Sequence, residues 1–160
     1  MPFYAITGAS RGTGDLVSSR KNLHVLNADI TNPEQLRCAR STISDATGGS
    51  LDVLFQNAGW NTDATAALSA SAVSDGDNLP MIRAALVDAI DHNVIVRLSV
   101  INILLPLIHR GAGKRIVVLS TALADIDVTL KTGMSHHIPH SSSKAAMNVV
   151  LAKLAIDLQK

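Results

Sequence analysis

The chain has 160 residues, a length typical of a single domain, and 47% of them are hydrophobic, which is enough to fill one core. Its 14 Lys and Arg against 13 Asp and Glu give a net charge of +1. Because this charge comes without a basic run, the composition argues against a nucleic-acid partner, while the lone Cys38 excludes an internal disulfide and fits a reducing compartment.

The first third of the chain predicts two strands and one helix. Phe3 to Thr7 and Leu23 to Asp29 are short, β-rich apolar runs typical of buried strands. The helix starts at Pro33, after the cap candidate Asn32, and ends at Gly48. No basic and apolar leader precedes the first strand, so we expect no secretory signal.

The predicted helix is amphipathic. Leu36, Ala39 and Ile43 share one of its faces. Glu34 lies in its first turn, where it is best interpreted as a capping charge. Cys38 also lies in this helix and is expected to be a small buried hydrophobe.

The middle of the chain predicts a strand, a turn and a long helix. Leu51 to Gln56 is the strand, and Asn57-Ala58-Gly59 is the turn after it. Small and polar residues from 60 to 79 favour a loop or weak helix. A long helix follows from about Met81 to Ile108; its most apolar part, 94–108, contains Arg97, Asn102 and Pro106 and is shorter than a bilayer-spanning helix.

The last third predicts a strand over Arg115 to Leu119 and a helix over Lys144 to Leu158. The alternation of strands and helices predicts an α/β fold with a doubly wound parallel sheet. We expect residues 1–160 to form one domain, and the protein to be cytoplasmic and unanchored.

A glycine-rich segment, Thr7 to Gly14 (TGASRGTG), follows the first predicted strand. Gly8, Gly12 and Gly14 would let backbone amides approach a pyrophosphate closely, where any Cβ would obstruct it. The segment therefore predicts a dinucleotide site, the alternative being an ordinary glycine-rich turn.

Three motifs in order resemble those of the short-chain dehydrogenase/reductase family. They are the TGASRGTG turn, the Asn57-Ala58-Gly59 turn at the position of the family's NAG motif, and His140-Ser141-Ser142-Ser143-Lys144 at the position of its Tyr-x-x-x-Lys motif. The resemblance runs from Phe3 to about Leu158 and is strongest to the carbonyl-reductase-like branch that includes fungal ketoreductases. It implies a Rossmann-like fold and a reaction in which hydride moves between a nicotinamide and a carbonyl.

The resemblance also implies the cofactor contacts. Asp29 would contact the adenine end, and Lys144, which in the family lowers the pKa of the catalytic Tyr, is also implied as a cofactor-binding residue. Arg11 resembles the basic residue that binds the 2′-phosphate of NADPH, so NADP is the expected cofactor and NAD the alternative; a solvated loop charge is the alternative for Arg11. The other residues implied at the cofactor are Gly8, Ser10, Gly12, Gly14, Asn57, Ala58 and Gly59.

The family's catalytic set is a Ser, a Tyr, a Lys and an Asn. Lys144 and Asn93 match their positions, and the family more often uses the second residue of a pair such as Ser120-Thr121. The segment from Asp125 to His137 resembles an insertion of the fungal branch. His140 stands in place of the Tyr.

The His140 substitution bears directly on the chemistry. A neutral imidazole can act as a base, but the positive charge of Lys144 disfavours the imidazolium that would donate a proton to a ketone. We therefore expect weak activity or none, and the alternative is a tolerated histidine in a chain no longer selected for catalysis. His136 and His137 have no carboxylate or cysteine at a ligand spacing, so a metal site with His140 is not expected.

Parts of the family's sheet are expected to be missing. Only fifteen residues, Gly8 to Asn22, separate Thr7 from Leu23, whereas a βαβ unit needs about 30. The resemblance also places the last strands and a substrate-binding loop after the helix that carries Lys144. The alternative function is a non-catalytic module that pairs with full-length relatives, and a homo-oligomer formed through helices 81–108 and 144–158 is expected in either case.

Overall fold

The computed structural model describes residues 2–9, 22–61, 65–73 and 76–159. Its elements in chain order are β1 (Tyr4–Thr7), α1 (Pro33–Thr47), β2 (Val53–Gln56), α2 (Ala70–Val73), α3 (Leu79–Ile90), a π-helical segment (Asp91–Val96), α4 (Arg97–Arg110), β3 (Arg115–Val118), a 3-10 helix (Ala122–Ala124), α5 (Ile126–Thr132) and α6 (Ile138–Asp157). The chain forms two compact units, Met1–Gly59 with Val96–Leu119, and Trp60–Ile95 with Ser120–Lys160.

The first unit is built on a parallel sheet. Its three described strands lie in the order β1-β2-β3, and Ala5, Leu54 and Ile116 lie opposite one another across it. A parallel sheet with helical crossovers confirms the predicted α/β, Rossmann-like fold, and the three described strands form an incomplete version of its sheet.

The core of the first unit lies between β2 and α4. Leu54 is fully buried on the sheet, and Val100, Ile101 and Leu104 are buried on α4. Successive strand residues point to opposite faces, so Tyr4 and Ile6, at 63% and 59% exposure, show that the other face of β1 is open.

Helix α1 begins and ends as its sequence predicts. The Asn32 side chain accepts hydrogen bonds from the backbone amides of Glu34 and Gln35, and Pro33 occupies the first turn. Gly48 ends the helix in the left-handed conformation with a φ of 64°. These are the caps that satisfy the unpaired backbone groups at helix ends.

Two predictions for the first unit are wrong. Residues 23–29 form no strand, and Val25 in this segment is 67% exposed. A strand needs a hydrogen-bonded neighbour, and no described strand pairs with this segment, so its β-rich composition is not sufficient. Cys38 is exposed, because the buried side of α1 is occupied by Leu36, with Ala39 and Ile43 half-buried beside it.

The second unit packs α3 against α6. Ile82, Ala85 and Ala89 on α3 and Met147 on α6 are buried. Helix α6 begins at Ile138, six residues before the predicted start at Lys144, with Pro139 in its first turn, where its missing amide costs no hydrogen bond. His140 therefore lies in a helix together with Lys144.

One continuous helical run, Leu79–Arg110, is 32 residues long, and its most apolar 18-residue window has a mean hydropathy of 1.4. By length and composition it could cross a membrane, contrary to the expectation drawn from residues 94–108 alone. Half of its most apolar window is buried inside the protein, as in the core helix of a soluble protein, which meets the same criterion.

Candidate cofactor and catalytic site

The turn after β1 contacts the turn after β2 at the carboxyl edge of the sheet. The side-chain amide of Asn57 donates to the Gly8 carbonyl at 3.2 Å, and the Ala58 amide donates to the Thr7 hydroxyl at 3.2 Å. Gly8 has a φ of 72°, and a Cβ there would lie 2.6 Å from the Ala58 Cα. Only glycine allows this approach, which matches the backbone proximity that a dinucleotide site requires.

A buried arginine bridges the carboxyl ends of β2 and β3. Arg97 is 1% exposed, and its guanidinium donates to the Ala58 carbonyl at 2.6 Å and to the Leu119 carbonyl at 3.0 Å. Its own carbonyl accepts from the Gln56 side chain at 2.9 Å. Burial lowers the pKa of the Arg97 guanidinium, but an arginine remains charged at neutral pH.

Asp29 lies before helix α1 and is exposed. Its carboxylate accepts hydrogen bonds from the Thr31 amide at 2.9 Å and from the Thr31 hydroxyl at 2.8 Å, and its amide donates to the Gln35 side chain. These bonds fix the entry to α1, so the adenine contact implied for Asp29 stays a prediction.

The remaining residues implied in the glycine-rich segment are Ser10, Arg11, Gly12 and Gly14. They lie outside the described residues, so their roles at the phosphates also stay predictions. Gly59 lies in the described turn and is exposed.

Asn93 organises a buried hydrogen-bond network in the second unit. It lies fully buried in the π-helical segment. Its side chain accepts from the Trp60 amide at 3.0 Å and donates to the Trp60 carbonyl at 2.9 Å and to the Ser143 hydroxyl at 3.0 Å. The Ser143 hydroxyl in turn donates to the His140 carbonyl at 2.9 Å. Single-turn π segments inside α-helices are frequent at functional sites.

One face of α6 carries polar side chains at successive turns. His140, Lys144 and Asn148 are spaced four residues apart, which places them on the same face. Lys144 is 6% exposed, and the Ser120 hydroxyl donates to the Asn148 side chain at 2.8 Å. The structure thus brings Ser120 to the helix that carries the predicted acid and lysine.

Thr121 has a different role in the structure. Its hydroxyl accepts from the Leu123 amide at 3.3 Å and caps the short 3-10 helix. Within the pair Ser120-Thr121, it is therefore Ser120 whose hydroxyl meets α6. The catalytic role of either hydroxyl stays a prediction.

Sequence reasoning missed two residues. The sequence signal for Asn148 is its spacing: His140, Lys144 and Asn148 follow one another every four residues, which places them on one face of a helix. The sequence signal for Arg97 is its positive charge within an apolar helix. A buried cation needs hydrogen-bond partners, so this charge indicates buried polar groups around it. No group of three or more potential metal ligands lies in the part of the chain that the structure describes.

Comparison with known proteins identifies the family. Residues 14–160 match the family model described as short chain dehydrogenase. The chain belongs to the short-chain dehydrogenase family. The short chain dehydrogenase virK of Hypocrea virens is 32% identical over 190 residues, covering 100% of this chain and 69% of that protein.

Solved structures show the same fold. The carbonyl reductase Sniffer of D. melanogaster superposes with a TM-score of 0.77 at 22% identity, covering 99% of this chain and 64% of that one. An NADPH-bound carbonyl reductase from chicken fatty liver gives a TM-score of 0.69 at 20% identity, covering 92% and 56%. The chain spans about two thirds of the length of the curated relatives it matches.

Proposed function

We propose that the chain binds NADP(H) as a carbonyl-reductase-type member of its family and turns over carbonyl substrates weakly or not at all. The observation that carries this proposal is the polar face of α6, where His140 stands one turn before the buried Lys144 at the family's tyrosine position. NADP is favoured over NAD by Arg11 and by likeness in fold to a carbonyl reductase with NADPH bound.

The carboxyl edge of the sheet fits a dinucleotide. The positive φ of Gly8 and its close contact with Ala58 exclude a Cβ at this position. The Asn57 side chain donates a hydrogen bond to the Gly8 carbonyl. Gly12, Gly14, Ser10 and Arg11 would complete the phosphate contacts, and the cofactor role implied for Lys144 stays a prediction. When bound, the cofactor supplies the hydride.

The chain's own residues must then orient the carbonyl and supply a proton. The Ser120 hydroxyl donates to the Asn148 side chain, so it would orient a carbonyl oxygen by turning its one hydrogen from Asn148 to the substrate. Proton donation by His140 requires the imidazolium, a second positive charge one helical turn from Lys144. Such a donor is scarce near neutral pH, which is why we propose low turnover.

The cofactor is tested by titrating the protein with NADPH and NADH while recording cofactor fluorescence. We expect weak binding with a Kd on the order of 0.1 to 1 mM, a preference for NADPH, and loss of that preference in Arg11→Ala. Arg40→Ala, at an exposed arginine of α1, is the matched control and should bind like the wild type. No response to NADPH at several millimolar would overturn the cofactor assignment.

The acid is tested by His140→Tyr. Where NADPH binds, a phenol next to Lys144 should raise ketone-dependent NADPH oxidation by about 10²- to 10⁴-fold, the usual contribution of a general acid. His136→Tyr, at an exposed neighbouring histidine, should leave the rate unchanged. Wild-type turnover on the order of 1 to 1,000 per second would show that His140 is a working acid.

Exposed apolar side chains favour a second candidate, a non-catalytic module that pairs with other chains of the family. On α6, Val149 and Ile156 are 57% and 63% exposed, and Val87 on α3 is 61% exposed. Apolar side chains left in water on one helix are typical of association surfaces. A pairing module would associate with full-length relatives and show no response to either cofactor in the same titration.

A further inference from the structure

Arg97 is the buried charge whose role the catalytic and cofactor motifs do not explain. It is 1% exposed inside the first unit, and its Nε has no hydrogen-bond partner. Among the described residues no carboxylate forms an ion pair with it. A buried cation held only by carbonyl oxygens is costly, and an apolar side chain of similar length would fill the same space at lower cost.

The Arg97 guanidinium donates to two backbone carbonyls, and both lie beyond the strands. The Ala58 carbonyl belongs to the turn after β2, and the Leu119 carbonyl follows β3. The last hydrogen bond between these two segments joins the Leu119 amide to the Gln56 carbonyl at 3.1 Å. Arg97 therefore continues the connection past the point where the sheet's own hydrogen bonds end.

The same row of contacts extends to β1. The Gly8 turn lies against Ala58 so closely that a Cβ would not fit, and Asn57 donates to the Gly8 carbonyl. Leu119, Arg97, Ala58 and Gly8 thus form a continuous line across the carboxyl ends of the three described strands. Gln56 fixes the base of the Arg97 side chain by donating to its carbonyl.

We infer that Arg97 is a positioning residue that holds the Asn57-Ala58-Gly59 turn at a fixed distance from the end of β3, so that the cofactor edge of the sheet is formed before a dinucleotide binds. The planar guanidinium suits this role, because its two terminal nitrogens can donate to two carbonyls at once in a fixed geometry. The inference deepens the proposed function and rests on it for the identity of the ligand.

The test compares Arg97→Met with Leu104→Ala, a truncation at a buried position on the same helix that is not bonded to the strand ends. Hydrogen exchange is measured by mass spectrometry on peptides covering 57–61 and 116–121, at a temperature where each variant is folded. We expect Arg97→Met to speed exchange in both peptides by at least about tenfold, whereas Leu104→Ala lowers stability without this local effect.

Arg97→Lys provides the second variant, and it keeps the measurement available where Arg97→Met does not fold. A single ammonium keeps the charge but cannot bridge two carbonyls in a fixed fork, so exchange in the two peptides should rise to an intermediate level. NADPH binding should weaken by about tenfold in Arg97→Met and less in Arg97→Lys, with Leu104→Ala unchanged.

The outcomes separate the two proposals. Equal exchange of the 57–61 and 116–121 peptides in Arg97→Met and Leu104→Ala would overturn the positioning role, whatever the cofactor result. A wild-type chain that ignores NADPH while Arg97→Met still loosens both peptides would overturn the proposed cofactor and keep the bridge. NADPH binding that is unaffected by Arg97→Met would also contradict the inference.

Discussion

At the scale of single residues, two side chains connect neighbouring strands of the sheet by hydrogen bonds. One lies at the amino ends of the strands and the other at their carboxyl ends. The Asp52 carboxylate accepts from the Phe3 amide at 2.7 Å and from the Gly113 amide at 2.9 Å, just before the strands begin. Arg97 bridges the carbonyls of Ala58 and Leu119 just after the strands end. A short sheet has few backbone hydrogen bonds between its strands, so these charge-assisted hydrogen bonds contribute a larger share of its stability.

Because of Asp52, the stability of the folded protein should depend on pH in the acidic range. Hydrogen bonds from Phe3 and Gly113 lower the pKa of its carboxyl in the folded protein. A lowered folded-state pKa stabilises the protein above the unfolded pKa of about 3.9, and this stabilisation is lost as pH falls through the folded value. We expect Asp52→Asn to lower the thermal midpoint at pH 7 and the difference from wild type to shrink below about pH 4. An equal difference at both pH values would contradict this.

Gly8 allows the close contact between the first two strand ends. It combines a φ of 72° with a Cβ position 2.6 Å from the Ala58 Cα, whereas Gly48 has a φ of 64° and nothing within 4 Å. Gly48→Ala should therefore cost about 1 kcal/mol for the left-handed backbone alone. Gly8→Ala should cost about 1 to 3 kcal/mol more because of the steric clash. Urea unfolding of both variants measures the difference, and equal costs would show that the contact with Ala58 is loose.

At the scale of elements, the network around Asn93 links the π-helical segment to the start of α6. Asn93→Ala would leave the Trp60 amide and carbonyl without their partners, at a cost of about 2 to 3 kcal/mol. Ser143→Ala removes only hydrogen bonds of a hydroxyl and should cost about 0.5 to 1.5 kcal/mol. Chemical denaturation of the two variants gives the comparison. A larger loss for Ser143→Ala would contradict the central place of Asn93.

Most elements could be predicted from the sequence because their ends carry local signals. Helix α1 has Asn32 and Pro33 at its start and Gly48 at its end, and the β2 and β3 segments have apolar runs bounded by turns. The start of α6 could not be predicted, because Pro139 to Ser143 shows no apolar periodicity and its buried members are held by contacts from distant residues. Residues 23–29 have the composition of a strand, but pairing depends on a neighbour that local sequence does not specify.

The candidate site was predictable in part for the same reason. Gly8, Asn57 and Ala58 meet as the glycine-rich turn and the NAG motif suggest, since the carboxyl ends of neighbouring parallel strands lie at one edge of a sheet. The distinction between Ser120 and Thr121 required the structure, because both are hydroxyls and only the backbone direction decides which one meets Asn148. Arg97 required it as well, since its bonding partners are backbone carbonyls.

At the scale of the whole molecule, the exposed apolar side chains predict self-association. Val149 and Ile156 lie seven residues apart on α6, two helical turns along one face, and are 57% and 63% exposed. With the exposed Ala152 between them these side chains form an apolar stripe, bordered by the exposed Lys153, on a 20-residue helix. Such a stripe offers a second copy more apolar surface than isolated exposed side chains do. We expect light scattering at tens of micromolar protein to report species larger than a monomer.

A second pair of exposed apolar side chains, on α5, provides the control for this prediction. Ile126 and Leu130 on α5 are 77% and 76% exposed, so they are the more accessible pair, but α5 spans only seven residues. Val149→Lys with Ile156→Lys should shift the scattering mass toward the monomer, because two like charges on the stripe of each copy would face each other in a symmetric contact. Ile126→Lys with Leu130→Lys should leave the mass unchanged. A wild-type monomer would contradict the predicted association. Equal dispersal by both pairs of substitutions would show that general surface hydrophobicity, and not the α6 stripe, decides the association.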